Sequence, residues 1–283
     1  MKYFDLHCDT LSKCADNNEK LEQNGFDVDI KRLSKFETAV QTFACFIDDS
    51  FKGNQATERF YQLYNVYKST DFGAVKPILS IENLSCLNGD IDNIYKFKEC
   101  GVKIASLTWN ADNGIAGGAE SDGTLSDFGK EVVKTLEKED IIIDVSHLNF
   151  KSFSSLCSVA TKPFIATHSN SFSIHPHKRN LTDEQIEIIS DIGGLVGINF
   201  YNKFLCEKEK DYYDLLLHIE RMLLLGGEET VALGSDFDGC DIHKSIGSLE
   251  NMPKFYEFLQ KELGKSLADN IFYRNSAKTL KML

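Results

Sequence analysis

Eight short apolar runs punctuate the 283-residue chain, at 3–9, 40–48, 77–82, 102–109, 141–147, 163–168, 195–199 and 230–236, and seven of them end on a polar side chain. Several are nearly continuous in Val, Ile, Leu, Phe and Ala, the pattern of parallel strands buried on both faces. Segments with helical spacing separate most of them: 56–69, 126–139, 149–159, 183–190 and 212–225. Thr182-Asp183-Glu184-Gln185 has the form of a capping box, an N-cap Thr with Gln three residues on. Gly193-Gly194 and Gly226-Gly227 close helices ahead of the last two strands. Pro77 and Pro163 stand at strand starts, where a missing N–H is tolerated. Eight strands alternating with helices is the count for a (β/α)₈ barrel of the TIM type, here one α/β domain spanning 1–283. An open doubly wound sheet is the alternative arrangement.

Active sites of such barrels lie at the carboxyl ends of the strands. Six metal-capable side chains fall there: His7 and Asp9 at the end of the first run, Glu82 of the third, His147 of the fifth, His168 of the sixth and Asp236 of the eighth. Each has an ordinary explanation when taken singly. His-x-Asp recurs by chance, a terminal Glu favours a helix start, and a histidine closing a strand is often a hydrogen-bonded structural residue. Together they resist that explanation, because burying so many ionisable groups without a counter-charge is costly. A divalent cation removes the cost. Imidazole and carboxylate donors suit zinc, with Mn²⁺, Fe²⁺ or Co²⁺ as substitutes. Three histidines and two carboxylates are too many for one tetrahedral ion and suit two ions sharing a bridge. The glycine-rich stretch 113–123 reads either as a mobile lid or as a plain loop, and lacks the context of a phosphate-binding loop.

Composition narrows the partners. With 31 basic and 43 acidic residues the formal charge is −12, which disfavours nucleic acid and anionic membrane. No apolar stretch of the signal-peptide or membrane-spanning kind is visible, so a cytoplasmic location is expected. The eight cysteines are scattered without a CxxC pair, which favours reduced thiols over disulfides.

Asp-Leu-His-Cys-Asp-Thr (5–10), Leu-Thr-Trp-Asn (107–110), Asp-Val-Ser-His (144–147), Thr-His-Ser-Asn (167–170), Arg-Asn-Leu-Thr-Asp (179–183) and Gly-Ser-Asp-Phe-Asp-Gly (234–239) resemble the membrane dipeptidase family, metal-dependent peptidases within the amidohydrolase group of barrels. The tail segment 270–274 resembles the family's last helix. The resemblance implies a binuclear zinc centre, with His7 and Asp9 on one ion, His147 and His168 on the other, and Glu82 bridging. It implies hydrolysis of dipeptides by a bridging hydroxide, with Asp236 as the catalytic proton carrier and Arg179 receiving the substrate's terminal carboxylate. Trp109, Asn110 and Asn170 are further substrate-side residues on this reading. Trp109 stands where animal members carry a carbonyl-polarising histidine; Trp-Asn is similar to bacterial members. The family's tolerance of D-residues extends the implied substrates from L,L- to L,D-dipeptides, and a homodimer is compatible with it. Other readings are a TatD-like nuclease or phosphoesterase, which usually opens with His-x-His, and a metal-binding relative without turnover.

Overall fold

The computed structural model describes residues 1–207 and 211–282. Seven strands form one parallel sheet: β1 (Lys2–Cys8), β2 (Thr38–Phe46), β3 (Lys76–Glu82), β4 (Val102–Ser106), β5 (Ile142–Asp144), β6 (Val196–Ile198) and β7 (Val231–Leu233). Their order is β5-β4-β3-β2-β1-β7-β6, and the sheet curls into a half-barrel. The run 163–168, expected as a full strand, is reduced to two isolated parallel bridges, Ile165 to Asp144 and Ala166 to Val196. Four backbone bonds carry these contacts. Ile165 donates to Ile143 (3.0 Å) and accepts from Val145 (2.8 Å); Ala166 donates to Leu195 (2.8 Å) and accepts from Gly197 (2.8 Å).

Both faces of the sheet are buried, as continuous apolar strands require. One cluster fills the concave side and draws on successive strands: Phe4, Leu6, Val40, Ile78, Ile104, Ala232, with Ile165 and Leu195 among them. The larger cluster packs the outer face against the helices. Three helices start where their sequence caps say they should. Ser126 accepts from the Gly129 amide ahead of Asp127–Lys138, and Asn149 from the Ser152 amide ahead of Phe150–Cys157. The Thr182–Gln185 capping box is complete ahead of Asp183–Asp191. Segment 270–274 is a π-helical turn.

Strand ends differ from the sequence expectation in a consistent way. β4 stops at Ser106 and β5 at Asp144, and β7 at Leu233, so Trp109, His147 and Asp236 each sit three residues into the following loop. In β1 the pairing with β2 shifts between Asp5 and Cys8, and Asp9 occupies the N-cap position of the helix Thr10–Asn17 without a side-chain capping bond. The stretch 113–123 makes defined contacts with neighbouring segments at Asn113 and Gly118. Asn113 donates to the Leu107 and Asn83 oxygens (2.7 and 2.8 Å), and a Cβ on Gly118 would lie 2.2 Å from the Trp109 carbonyl. Among the described residues no disulfide is formed. Among the described residues no helix is long and apolar enough to cross a membrane.

Candidate metal centre

The ends of β1 and β3 carry His7 and Glu82, the loops leaving β1, β5 and β7 carry Asp9, His147 and Asp236, and the bridge segment at Ala166 leads into His168; all six expected donors meet in one place and are buried. Glu82 lies at the centre. Its Oε2 is 3.3 Å from His7 Nε2, and its Oε1 is 2.8 Å from His147 Nε2 and 3.9 Å from His168 Nε2. His7 Nε2 also meets Asp9 Oδ2 at 3.3 Å. The Nε2 atoms of His147 and His168 approach to 2.8 Å. Two three-donor groups are compact enough for an ion, His7–Glu82–His168 and His7–Asp9–Asp236.

Local backbone sets this convergence. His147 has φ 75° and Asp236 has φ 62°, the left-handed region that few residues other than glycine occupy, Asn, Asp and His most often among them. Such conformations cost roughly 1–3 kcal/mol each and persist only where the surroundings enforce them. Gly239 makes room for the acids: a Cβ there would lie 2.1 Å from Asp9 Oδ2 and 2.5 Å from Asp236 Oδ1.

The electrostatics follow from crowding acids and imidazoles away from water. Burial pushes Glu82 up to about 7 and Asp236 up to about 6, and the Asp9 charge acts in the same direction on both. Burial alone would lower His7, but Asp9 and Glu82 outweigh it and hold its pKa well above the usual histidine value. His147 and His168 are driven well below that value by burial, with Arg179 and neighbouring imidazoles adding. Buried Asp9 Oδ1 has no hydrogen-bond partner. An orphaned carboxylate oxygen, converging Nε2 atoms and a carboxylate with an oxygen toward each side form a donor set that fits divalent cations of the zinc type.

Around the donors opens a cavity of about 610 Å³, lined by Asp9, Glu82, His147, Asp236, Trp109 and Arg179 among others. Arg179 is buried, its guanidinium lies over the Phe204 ring at 5.4 Å, and its Nε has no partner; burial lowers its pKa to about 10. Trp109 packs edge-on to Phe46 with centroids 5.1 Å apart. Asn110 reaches the cavity, and its Oδ1 lies 2.9 Å from His147 Nδ1. Asn170 does not line the cavity. Its amide spans the Asn199 backbone, accepting from Asn199 N (2.8 Å) and donating to Asn199 O (2.9 Å). Sequence reasoning passed over Asn199 itself, whose Nδ2 donates to Asp236 Oδ2 at 3.0 Å. Its position at the end of an apolar run was the available signal.

A parallel α/β sheet carrying buried imidazoles and carboxylates at its carboxyl edge is an arrangement suited to a metal-dependent hydrolase. A model of the membrane dipeptidase family (peptidase family M19) matches residues 67–282. The chain is 31% identical over 218 residues to the "uncharacterized protein in pqqA 5′ region" of Klebsiella pneumoniae, covering 72% of this chain and 80% of that one. It is 26% identical over 282 residues to the "uncharacterized dipeptidase C965.12" of Schizosaccharomyces pombe, covering 86% and 67%. A Rhodobacter sphaeroides metallopeptidase, crystallised with a phosphinate mimic of the dipeptide L-Ala-D-Ala, superposes with TM-score 0.90 at 22% identity and covers 99% of each chain. The chain belongs to the membrane dipeptidase family of metallopeptidases.

Proposed function

We propose that this chain is a zinc-dependent dipeptidase that cuts L,L- and L,D-dipeptides with a free C-terminal carboxylate, using two ions. The observation that carries the reading is Glu82, whose two oxygens face His7 on one side and His147 on the other. His7 and Asp9 would hold one ion, His147 and His168 the second, with Glu82 between them. Bound there, zinc supplies Lewis acidity, which polarises a carbonyl and lowers the pKa of water from 15.7 to about 7. The ring is read as closed, with Ile165 and Ala166 standing in for the missing strand of an eight-stranded barrel, and residues 1–283 as one domain.

The protein's own groups do the rest. Asp236, steadied by Asn199, takes a proton from the attacking water and delivers it to the amine as the C–N bond breaks. Arg179 pairs with the terminal carboxylate through its guanidinium, which limits productive substrates to peptides that end there. Trp109 and Phe46 wall the cavity and exclude water from the scissile bond. The ligand of the Rhodobacter sphaeroides relative, a mimic of an L,D-dipeptide, supports the substrate class.

Metal analysis paired with a screen of L,L- and L,D-dipeptides tests the reading. Two zinc ions per chain and turnover of free dipeptides are expected; oligonucleotide cleavage without dipeptide turnover overturns it. Arg179→Ala is expected to raise KM for free-carboxylate dipeptides while leaving amidated ones unaffected. Equal weakening of both removes the carboxylate role.

A further inference from the structure

Behind the imidazoles lies a set of polar side chains that no metal site needs for direct contact. Asp144, at the end of β5, is 1% exposed and accepts from four donors. The Ser146 and Thr167 amides reach its Oδ1, each at 2.9 Å. The Ser106 and Thr167 hydroxyls reach its Oδ2, at 2.5 and 2.6 Å. Thr167 Oγ1 also lies 2.8 Å from His168 Nδ1.

Hydrogen bookkeeping fixes the direction of this chain of contacts. A threonine hydroxyl has one proton to give. Asp144 accepts and does not donate, so the Thr167 proton goes to Asp144. Thr167 Oγ1 must then accept from His168, which places the imidazole proton on Nδ1 and leaves the lone pair on Nε2. On His147 the Asn110 amide oxygen makes the same demand at 2.9 Å. The consequence is that two Nε2 lone pairs face each other at 2.8 Å, with Glu82 Oε1 beside them. Neutral imidazoles in that pose repel unless a cation lies between them.

We infer that Thr167 and Asp144 are positioning residues: a hydroxyl-mediated relay from His168 Nδ1 through Thr167 to the Asp144 carboxylate fixes the tautomer and ring orientation that present Nε2 to a metal ion. The inference rests on the proposed zinc site and adds to it two residues that would never touch zinc or substrate. A carboxylate acting on a ligating histidine from behind raises its basicity, and losing such a partner typically costs about 10–100-fold in metal affinity.

The test compares Thr167→Val, which keeps the side-chain shape and removes the hydroxyl, with Thr167→Ser, which restores it. Zinc affinity is read by competition with a chromophoric chelator, and thermal midpoints are recorded on the same samples. Thr167→Val is expected to bind zinc roughly 10–100-fold more weakly, with Thr167→Ser close to the unsubstituted protein. In the metal-free protein, ¹⁵N shifts of the His168 ring are expected to report a proton on Nδ1, and Thr167→Val to lose that preference. Unchanged zinc affinity in Thr167→Val, or a metal-free His168 protonated on Nε2, overturns the relay. An unsubstituted protein that binds no zinc overturns the metal site and the relay with it, whereas the first two outcomes leave the metal site standing.

Discussion

Gly239 occupies a position where any side chain would collide with the Asp9 and Asp236 carboxylates, and it shows how closely the acids are packed. Asp236 is the one donor among them held by a neutral amide, Asn199. Asp236→Asn keeps the shape and that neighbour but removes the proton carrier. Turnover is expected to fall by about 10²–10⁴-fold with zinc retained, read by steady-state rates and metal content on one preparation. Unchanged turnover would take Asp236 out of the mechanism. His218 is a residue of the opposite kind, outside both three-donor groups. Its Nδ1 accepts from the Ser171 amide (3.1 Å) and its Nε2 donates to the Leu205 carbonyl (3.0 Å), so only the neutral ring fits. Burial lowers its pKa to about 4 from the usual 6.5. Above pH 6.5 both folded and unfolded rings are neutral and stability is complete. As pH falls from 6.5 to 4 the unfolded chain takes up a proton that the folded one refuses, at a cost reaching roughly 3 kcal/mol. Urea midpoints measured across that window are expected to fall with pH, and His218→Gln to flatten the slope. The metal-capable side chains were legible in sequence because each ends an apolar run. Asp144 and Thr167 were not, since each lies within its apolar run, short of the polar end.

At the level of the element, sequence patterns fixed some helix starts more closely than they fixed strand ends. Ser126, Asn149 and Thr182 each satisfy a first-turn amide, and such caps can be read from residue type alone. The helix Thr10–Asn17 was missed because polar residues dilute its apolar spacing. The shortening of β5, β6 and β7 to three residues was also illegible. Their apolar runs continue into loops that stay buried, so hydrophobicity does not mark where pairing ends. The shift in β1 between Asp5 and Cys8 likewise has no signal in a period-two pattern. The Thr182 cap is separated from Arg179 by only two residues, so its loss tests an element next to the cavity. Thr182→Ala is expected to lower unfolding free energy by about 1 kcal/mol in urea titrations. A change within error would mean that tertiary packing holds the helix start without the cap.

For the molecule as a whole, the metal reading has a thermodynamic consequence. Asp9, Glu82 and Asp236 are buried together in a chain that already carries a formal −12. An ion that binds the folded form alone stabilises it by about 2.7 kcal/mol at 100 times its dissociation constant. Chelation is therefore expected to lower the thermal midpoint reversibly, with zinc restoring it in calorimetry; a midpoint indifferent to chelator and zinc would count against the site. Where that stability is given up is visible at His147 and Asp236, the two donors in left-handed backbone. Laboratory evolution that rewards heat resistance without asking for turnover should discard these two first, in favour of glycine or asparagine. Survivors of such a selection would be sturdier and inert, and the substitutions they accumulate would outline the working rim without any substrate being supplied.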